Sequence, residues 1–106
     1  MSDLLSAADT SGMNQWVSRT ATVLATFPTW SAGVRCLDLT EELGELARAI
    51  LIAEGRKSAT EREEPVAQAL CGVLFDVFAL AQHYGVDLDA EYGEQVTQLA
   101  ARRVSR

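Results

Sequence analysis

Between Pro65 and Tyr84 the chain reads PVAQALCGVLFDVFALAQHY, apolar nearly all the way round a helix, and this stretch restricts the available folds more than any other. Val66, Leu70, Val73, Val77, Leu80 and Tyr84 recur at helical spacing as one seam, with Leu74, Phe75 and Phe78 beyond it. Such a helix must be covered on several sides. No stretch alternates apolar and polar residues as a half-buried strand would, and no segment repeats. The expected architecture is all-α, a bundle of four helices with short antiparallel connections. At 106 residues it makes one domain. Its third helix carries more apolar surface than one small bundle covers, which predicts a homodimer or a homotetramer.

The other helices are set by local signals. Residues 1–11 mix small and polar side chains and are expected to fray, with Thr10 or Ser11 able to cap the first helix. Met13, Trp16, Val17, Thr20, Leu24 and Phe27 form a first helical stripe, and Pro28 ends it. Trp30, in the short connection to Gly33, is expected to be a packing anchor. The second helix contains LDLTEELGELARAILIAE, Leu37 to Glu54, with Leu39, Leu43, Leu46, Ala47 and Ile50 as its apolar face. Gly55 suits a left-handed cap, and residues 55–64 form a polar solvent loop. The third helix can start from a Thr60-x-x-Glu63 capping box or with Pro65 as its first residue; Pro65 is favoured, because proline deeper in a helix removes a hydrogen bond. Gly85 stops it, Asp87 or Asp89 can cap the fourth helix, and Tyr92, Val96, Leu99 and Ala100 form that helix's apolar face.

Charge narrows the partners. A net charge of −6 argues against a nucleic-acid backbone or an anionic membrane as the main partner, since both call for a basic face. The N-terminus shows no charged-then-apolar leader and no apolar run approaches the ~18 residues of a membrane span, so a cytoplasmic location is expected. Cys36 and Cys71 lack metal-type spacing and are expected to be small buried hydrophobes.

Chemistry is concentrated on the second helix. Asp38, Glu41, Glu42 and Glu45 fall within roughly 100° of one another on one helix face. Like charges three and four residues apart weaken a helix by a few tenths of a kcal/mol per pair, and a cation reverses that sign. A solvated surface is one reading of the group. The other is half of a hard-cation site, because magnesium takes carboxylate oxygens and keeps several waters. Asp76 is the only carboxylate between Pro65 and Tyr84, and an unpaired charge there costs several kcal/mol. Its partner is either a cation shared with the second helix or Arg35 or Arg48. His83, near a helix end, reads as a cap or a hydrogen-bonded packing residue.

The run Glu41-Glu42-Leu43-Gly44-Glu45-Leu46 resembles the EExxE motif of the MazG-like, all-α nucleoside triphosphate pyrophosphohydrolases. The later run GVLFDVFALAQHYGVDLDAEY, Gly72 to Tyr92, resembles that family's second block, and with the helix order the likeness covers most of residues 12–100. It implies a Mg²⁺-dependent enzyme, with Mn²⁺ as a substitute, that cleaves an NTP or dNTP to the monophosphate and pyrophosphate. It further implies Glu42 and Glu45 as metal ligands, and Glu41 as a ligand or the residue that orients a water. Glu41 and Glu45 would then be the catalytic acids. Arg48, Arg56 and Lys57 would contact phosphates, and Gln82 stands where the family often has an asparagine. The family's ExxD pair falls at Ala69 and Gly72, which cannot bind metal through their side chains; Asp76, one turn on, is the expected substitute. The alternative expectation is a non-catalytic MazG-like helical protein that works through assembly or partner binding.

Overall fold

The computed structural model describes residues 12–59 and 64–104. These residues form four helices and no strand: α1 (Gly12–Leu24), α2 (Ala32–Ala53), α3 (Val66–Tyr84) and α4 (Leu88–Val104). α2 runs antiparallel along α3, so that Arg35 meets Asp76 and Glu42 meets Gly72. α1 lies against α3, and α4 against α1.

Local chemistry accounts for the helix ends. The Ser31 hydroxyl accepts the Val34 N–H at 3.1 Å and starts α2. Both central helices end in the same left-handed glycine motif. At Gly55 (φ 76°) the Arg56 N–H returns to the Leu51 carbonyl, and at Gly85 (φ 64°) the Val86 N–H returns to Ala81, each at 2.9 Å. Pro65 differs from expectation by one position. It is the extended N-cap of α3 (ψ 154°), and its carbonyl accepts the Ala69 N–H. The alternative start, Thr60 and Glu63, lies outside the described residues, as do Thr10 and Ser11.

The start of α1 is held from a distance. Asp89, in the first turn of α4, accepts the N–H groups of Met13 and Asn14 at 2.9 and 3.1 Å. Its carboxylate occupies the space a side chain at Gly12 would need, and Gly12 itself sits at φ 52°. Of the two aspartates expected to cap α4, Asp87 does so, through the Ala90 N–H at 3.1 Å. Asp89 serves α1 instead, a long-range role that no local pattern contains.

Burial departs most from the sequence expectation. Among the described residues the enclosed apolar side chains are Ala49, Ala69, Phe78, Ala79 and Ala81, mostly alanines. The expected apolar face of α2 is split: Leu39 and Leu46 are half-buried beside the residues that meet α3, whereas Leu43 is 48% and Ile50 41% exposed and Ala47 is exposed. α3 is packed by both α1 and α2, and its buried residues Ala69, Asp76, Phe78, Ala79 and Ala81 point to several sides as expected, but Leu70 and Tyr84 of the seam and Leu74 beside it remain exposed within one chain. Tyr92, Val96, Leu99 and Ala100 on α4 are exposed, and so are Trp16 and Phe27 from the first stripe. Cys36 and Cys71, expected inside, are both exposed and free. The reason is common to all of these. A 3.6-residue pattern specifies which side chains share a face, but not which face meets a neighbour within the same chain. Contrary to the expectation that no apolar run approaches a span, α3 is long and apolar enough to cross a membrane by length and composition alone, a property shared by core helices of folded bundles.

Candidate functional site between α2 and α3

The face that α2 does turn toward α3 is the one carrying Arg35, Asp38, Glu42 and Ala49, spaced three, four and seven residues apart. Close approach is possible because Ala49 and Ala69 are small and fully packed, which lets longer polar side chains share the seam. Asp76 projects from α3 into it and is 1% exposed. Arg35 Nη1 donates to Asp76 Oδ1 at 3.1 Å. The same guanidinium stacks over the Trp30 ring, 4.4 Å from its centroid, and stands 5.8 Å from that of Phe75.

This charge pairing is incomplete. With the neighbouring Asp38 and Asp76 carboxyls both ionised, Asp76 Oδ2 is buried and has no hydrogen-bond donor. The Asp76 carboxyl is pushed up to about 6 by burial and by a hydrogen bond with the Asp38 carboxyl, against the opposing pull of Arg35. Two carboxyls in such contact need a proton between them or a cation beside them. Burial also raises the Glu42 carboxyl, and the charges of Asp38, Glu64, Glu45 and Glu41 add to the effect.

Gly72 has a definite role in this arrangement. The Glu42 carboxylate rests where a Cβ at Gly72 would lie, so the missing side chain on α3 makes room for the acid from α2. Ala69 is fully buried, which leaves no room for a glutamate without moving α2. The two positions where the sequence likeness would place ExxD acids are thus a cradle and a contact point between the helices.

The remaining candidates are dispersed. Glu41 and Glu45 are exposed on the solvent flank of the seam. Arg48 is half-buried, Lys57 is exposed, and exposed Arg56 pairs with Glu54 at 3.3 Å. Gln82 is exposed near the end of α3, where it borders a cavity that also includes Trp30 and Arg35. His83 packs edge-on against Tyr84, with ring centroids 4.8 Å apart. The structure therefore brings Glu42 and Asp76 to one seam and leaves Glu41 and Glu45 outside it. Among the described residues no three His, Cys, Asp or Glu side chains are gathered closely enough to hold a metal ion as they stand. The donor chemistry nevertheless fits a hard cation. The seam offers carboxylate oxygens, one of them without a donor, and Glu42 is carried on a rotatable stem.

The sequence pattern names Arg35 among the partners for Asp76, but it gives Trp30 no role beyond packing and Asp38 none beyond the acid cluster. The available signal is the shared face of Arg35, Asp38, Glu42 and Ala49, in which the alanine marks the line of closest helix approach. Comparison with known protein families, curated proteins and solved structures finds no match for this chain.

Proposed function

We propose that this chain is a homo-oligomeric, MazG-like nucleotide pyrophosphohydrolase that uses Mg²⁺, or Mn²⁺ in its place, to split an NTP or dNTP into the monophosphate and pyrophosphate. The observation that carries the reading is the buried Asp76 carboxylate with one donorless oxygen, set against Asp38 from the motif-bearing helix, while Glu42 of that helix rests on Gly72 in the same seam. A buried carboxylate that one arginine satisfies only in part, with half-buried acids beside it, destabilises a fold unless a proton or a bound cation offsets the charge. Asp76 and Glu42 would hold the ion with Asp38 beside them, and the ion would supply the charge that phosphate oxygens and an attacking water need. From the solvent flank, Glu41 and Glu45 would orient that water and take its proton. Gln82, beside Arg35, would meet the nucleotide from one end of the seam and Arg48 from the other, whereas Arg56 and Lys57 lie beyond the last turn of α2 and would reach only a long phosphate chain.

Oligomerisation is supported by the exposed Leu43, Ile50, Leu70 and Leu74, which leave α2 and α3 with apolar surface that the chain does not cover itself. Light scattering should give a dimer or tetramer, and Leu43→Glu with Ile50→Glu should yield monomer; a monomeric unmodified chain would sink this part of the reading. The Arg35–Asp76 pair favours a second reading, in which the acids are structural and the protein works by assembly alone. Pyrophosphate release from a panel of NTPs and dNTPs with Mg²⁺ or Mn²⁺ separates the two. The hydrolase reading expects turnover that falls about a hundredfold or more in Glu45→Ala. No turnover, together with no metal binding by calorimetry, would leave the assembly reading standing.

A further inference from the structure

The end of α1, the connection into α2 and the last turn of α3 line an open-sided cavity of about 270 Å³. That volume is at the small end of ligand sites, which begin near 300 Å³, and suits a single ring system rather than an extended chain. Leu24, Pro28 and Leu80 provide apolar walls, Trp30 an aromatic plane, and Gln82 an amide that can both donate and accept. Trp30 remains 44% exposed even with Arg35 stacked on it, which is not how a packing anchor sits. Arg35 connects this cavity to the acid seam, since the guanidinium that lies over the indole also holds Asp76 at 3.1 Å.

Three kinds of occupant are open to such a site, and the lining distinguishes them. A bare anion gains nothing from the apolar walls and the indole. A purely aliphatic ligand wastes Gln82 and is set against a guanidinium. A heteroaromatic ring joined to an anionic group uses every part. We propose that the cavity is the base subsite of a nucleotide, with the ring packed against Trp30, its polar edge read by Gln82, and its phosphates directed past Arg35 toward Asp38 and Glu42. This assignment rests on the nucleotide reading above and adds to it the position and recognition of the base.

The test uses the full chain in EDTA, without divalent cation, so that base binding is read apart from hydrolysis. Nucleoside 5′-monophosphates carrying each of the common bases are titrated by calorimetry, with ribose 5-phosphate as the ligand that lacks a base. Tryptophan emission is followed in parallel in a Trp16→Phe background, where Trp30 is the remaining emitter. Saturable quenching by at least one monophosphate is expected, with ribose 5-phosphate binding about tenfold or more weaker. Trp30→Ala should weaken the monophosphate by a similar factor, Trp30→Phe should restore most of it, and Gln82→Ala should alter the order of preference among bases. Equal affinity for ribose 5-phosphate, or an unchanged dissociation constant in both Trp30→Ala and Gln82→Ala, would overturn the assignment. The two readings fail separately. Base-dependent binding without turnover in Mg²⁺ removes the hydrolase and keeps the subsite, whereas turnover with an unchanged KM in Trp30→Ala removes the subsite and keeps the hydrolase.

Discussion

The junction of α1 with α4 and the seam of α2 with α3 are each tied by an aspartate that reaches across from another helix, and the two differ in how many donors that aspartate meets. At the junction, both Asp89 oxygens accept backbone N–H groups, and Asp87 takes the Asn14 amide at 2.9 Å together with the Ala90 N–H. Those bonds lower the Asp87 carboxyl, the Asn14 amide contributing most. At the seam, Asp76 has one arginine, one donorless oxygen and a neighbouring acid, and its carboxyl rises to about 6. Satisfied carboxylates are a structural device. A carboxylate held short of donors in a fully buried position is a strained arrangement, and a ligand that completes it gains binding energy from doing so.

The largest effect is expected from Arg35→Ala. Removing the one donor to a buried carboxylate should destabilise the fold by about 3–5 kcal/mol at pH 7, measured by denaturant unfolding. The deficit should shrink toward pH 4, where Asp76 is protonated in the folded state. A loss below about 1 kcal/mol, the range of an exposed pair, would mean that the seam is wetter than its geometry indicates.

Asp76→Asn should act in the opposite direction. The native carboxyl is raised above its ordinary 3.8 to about 6, so its favourable contribution is complete below pH 3.8 and is lost as pH rises through 6. At pH 7 the asparagine chain should therefore be the more stable of the two, with the two chains converging near pH 4. If the asparagine chain is less stable at pH 7, the electrostatic account of the seam is wrong. The junction should show the reverse trend. Asp87 is lowered, so its contribution is present above 3.8 and fades as the solution is acidified below that value.

Asp89→Ala removes a two-bond cap from α1 and should lower stability by about 1–2 kcal/mol, with fraying of α1 visible in amide exchange. Unchanged protection at Met13 and Asn14 would show that α4 does not hold α1. The smallest effect on stability belongs to Gly72→Ala. It gains up to about 1 kcal/mol of helix propensity and displaces only the flexible end of Glu42. Its thermal midpoint should move little while metal affinity, read by calorimetry, falls. Unchanged affinity would remove Glu42 from the proposed ion site.

Much of the fold is legible in local chemistry, because helix ends are short-range events. Ser31, Gly55, Gly85 and Asp87 cap helices through bonds spanning three to five residues, and each sits where its residue type implies. The unexpected contacts are the ones that connect residues far apart in the chain. Asp89 reaches Met13 across 76 positions, and Arg35 reaches Asp76 across 41. The candidate site is legible in the same uneven way. The grouping of acids on one face of α2 and the need of Asp76 for a partner are evident from periodicity and isolation. The role of Gly72 is not, because its effect is the space it leaves for Glu42, and empty space has no signature in a sequence.

By itself, the amino-acid order determined where α2 and α3 stop and α4 starts, which side chains share a face, and that one aspartate stands in apolar surroundings. These properties come from the helical repeat and from hydrogen bonds between near neighbours. The tertiary structure decided which face of α2 turns inward. Alanines at 49 and 69 bring the two helix backbones together along the acid-bearing side, and the bulkier Leu43 and Ile50 are left pointing outward. Helix approach is governed by the combined volume of two surfaces, a property of the pair that neither stretch of sequence holds alone.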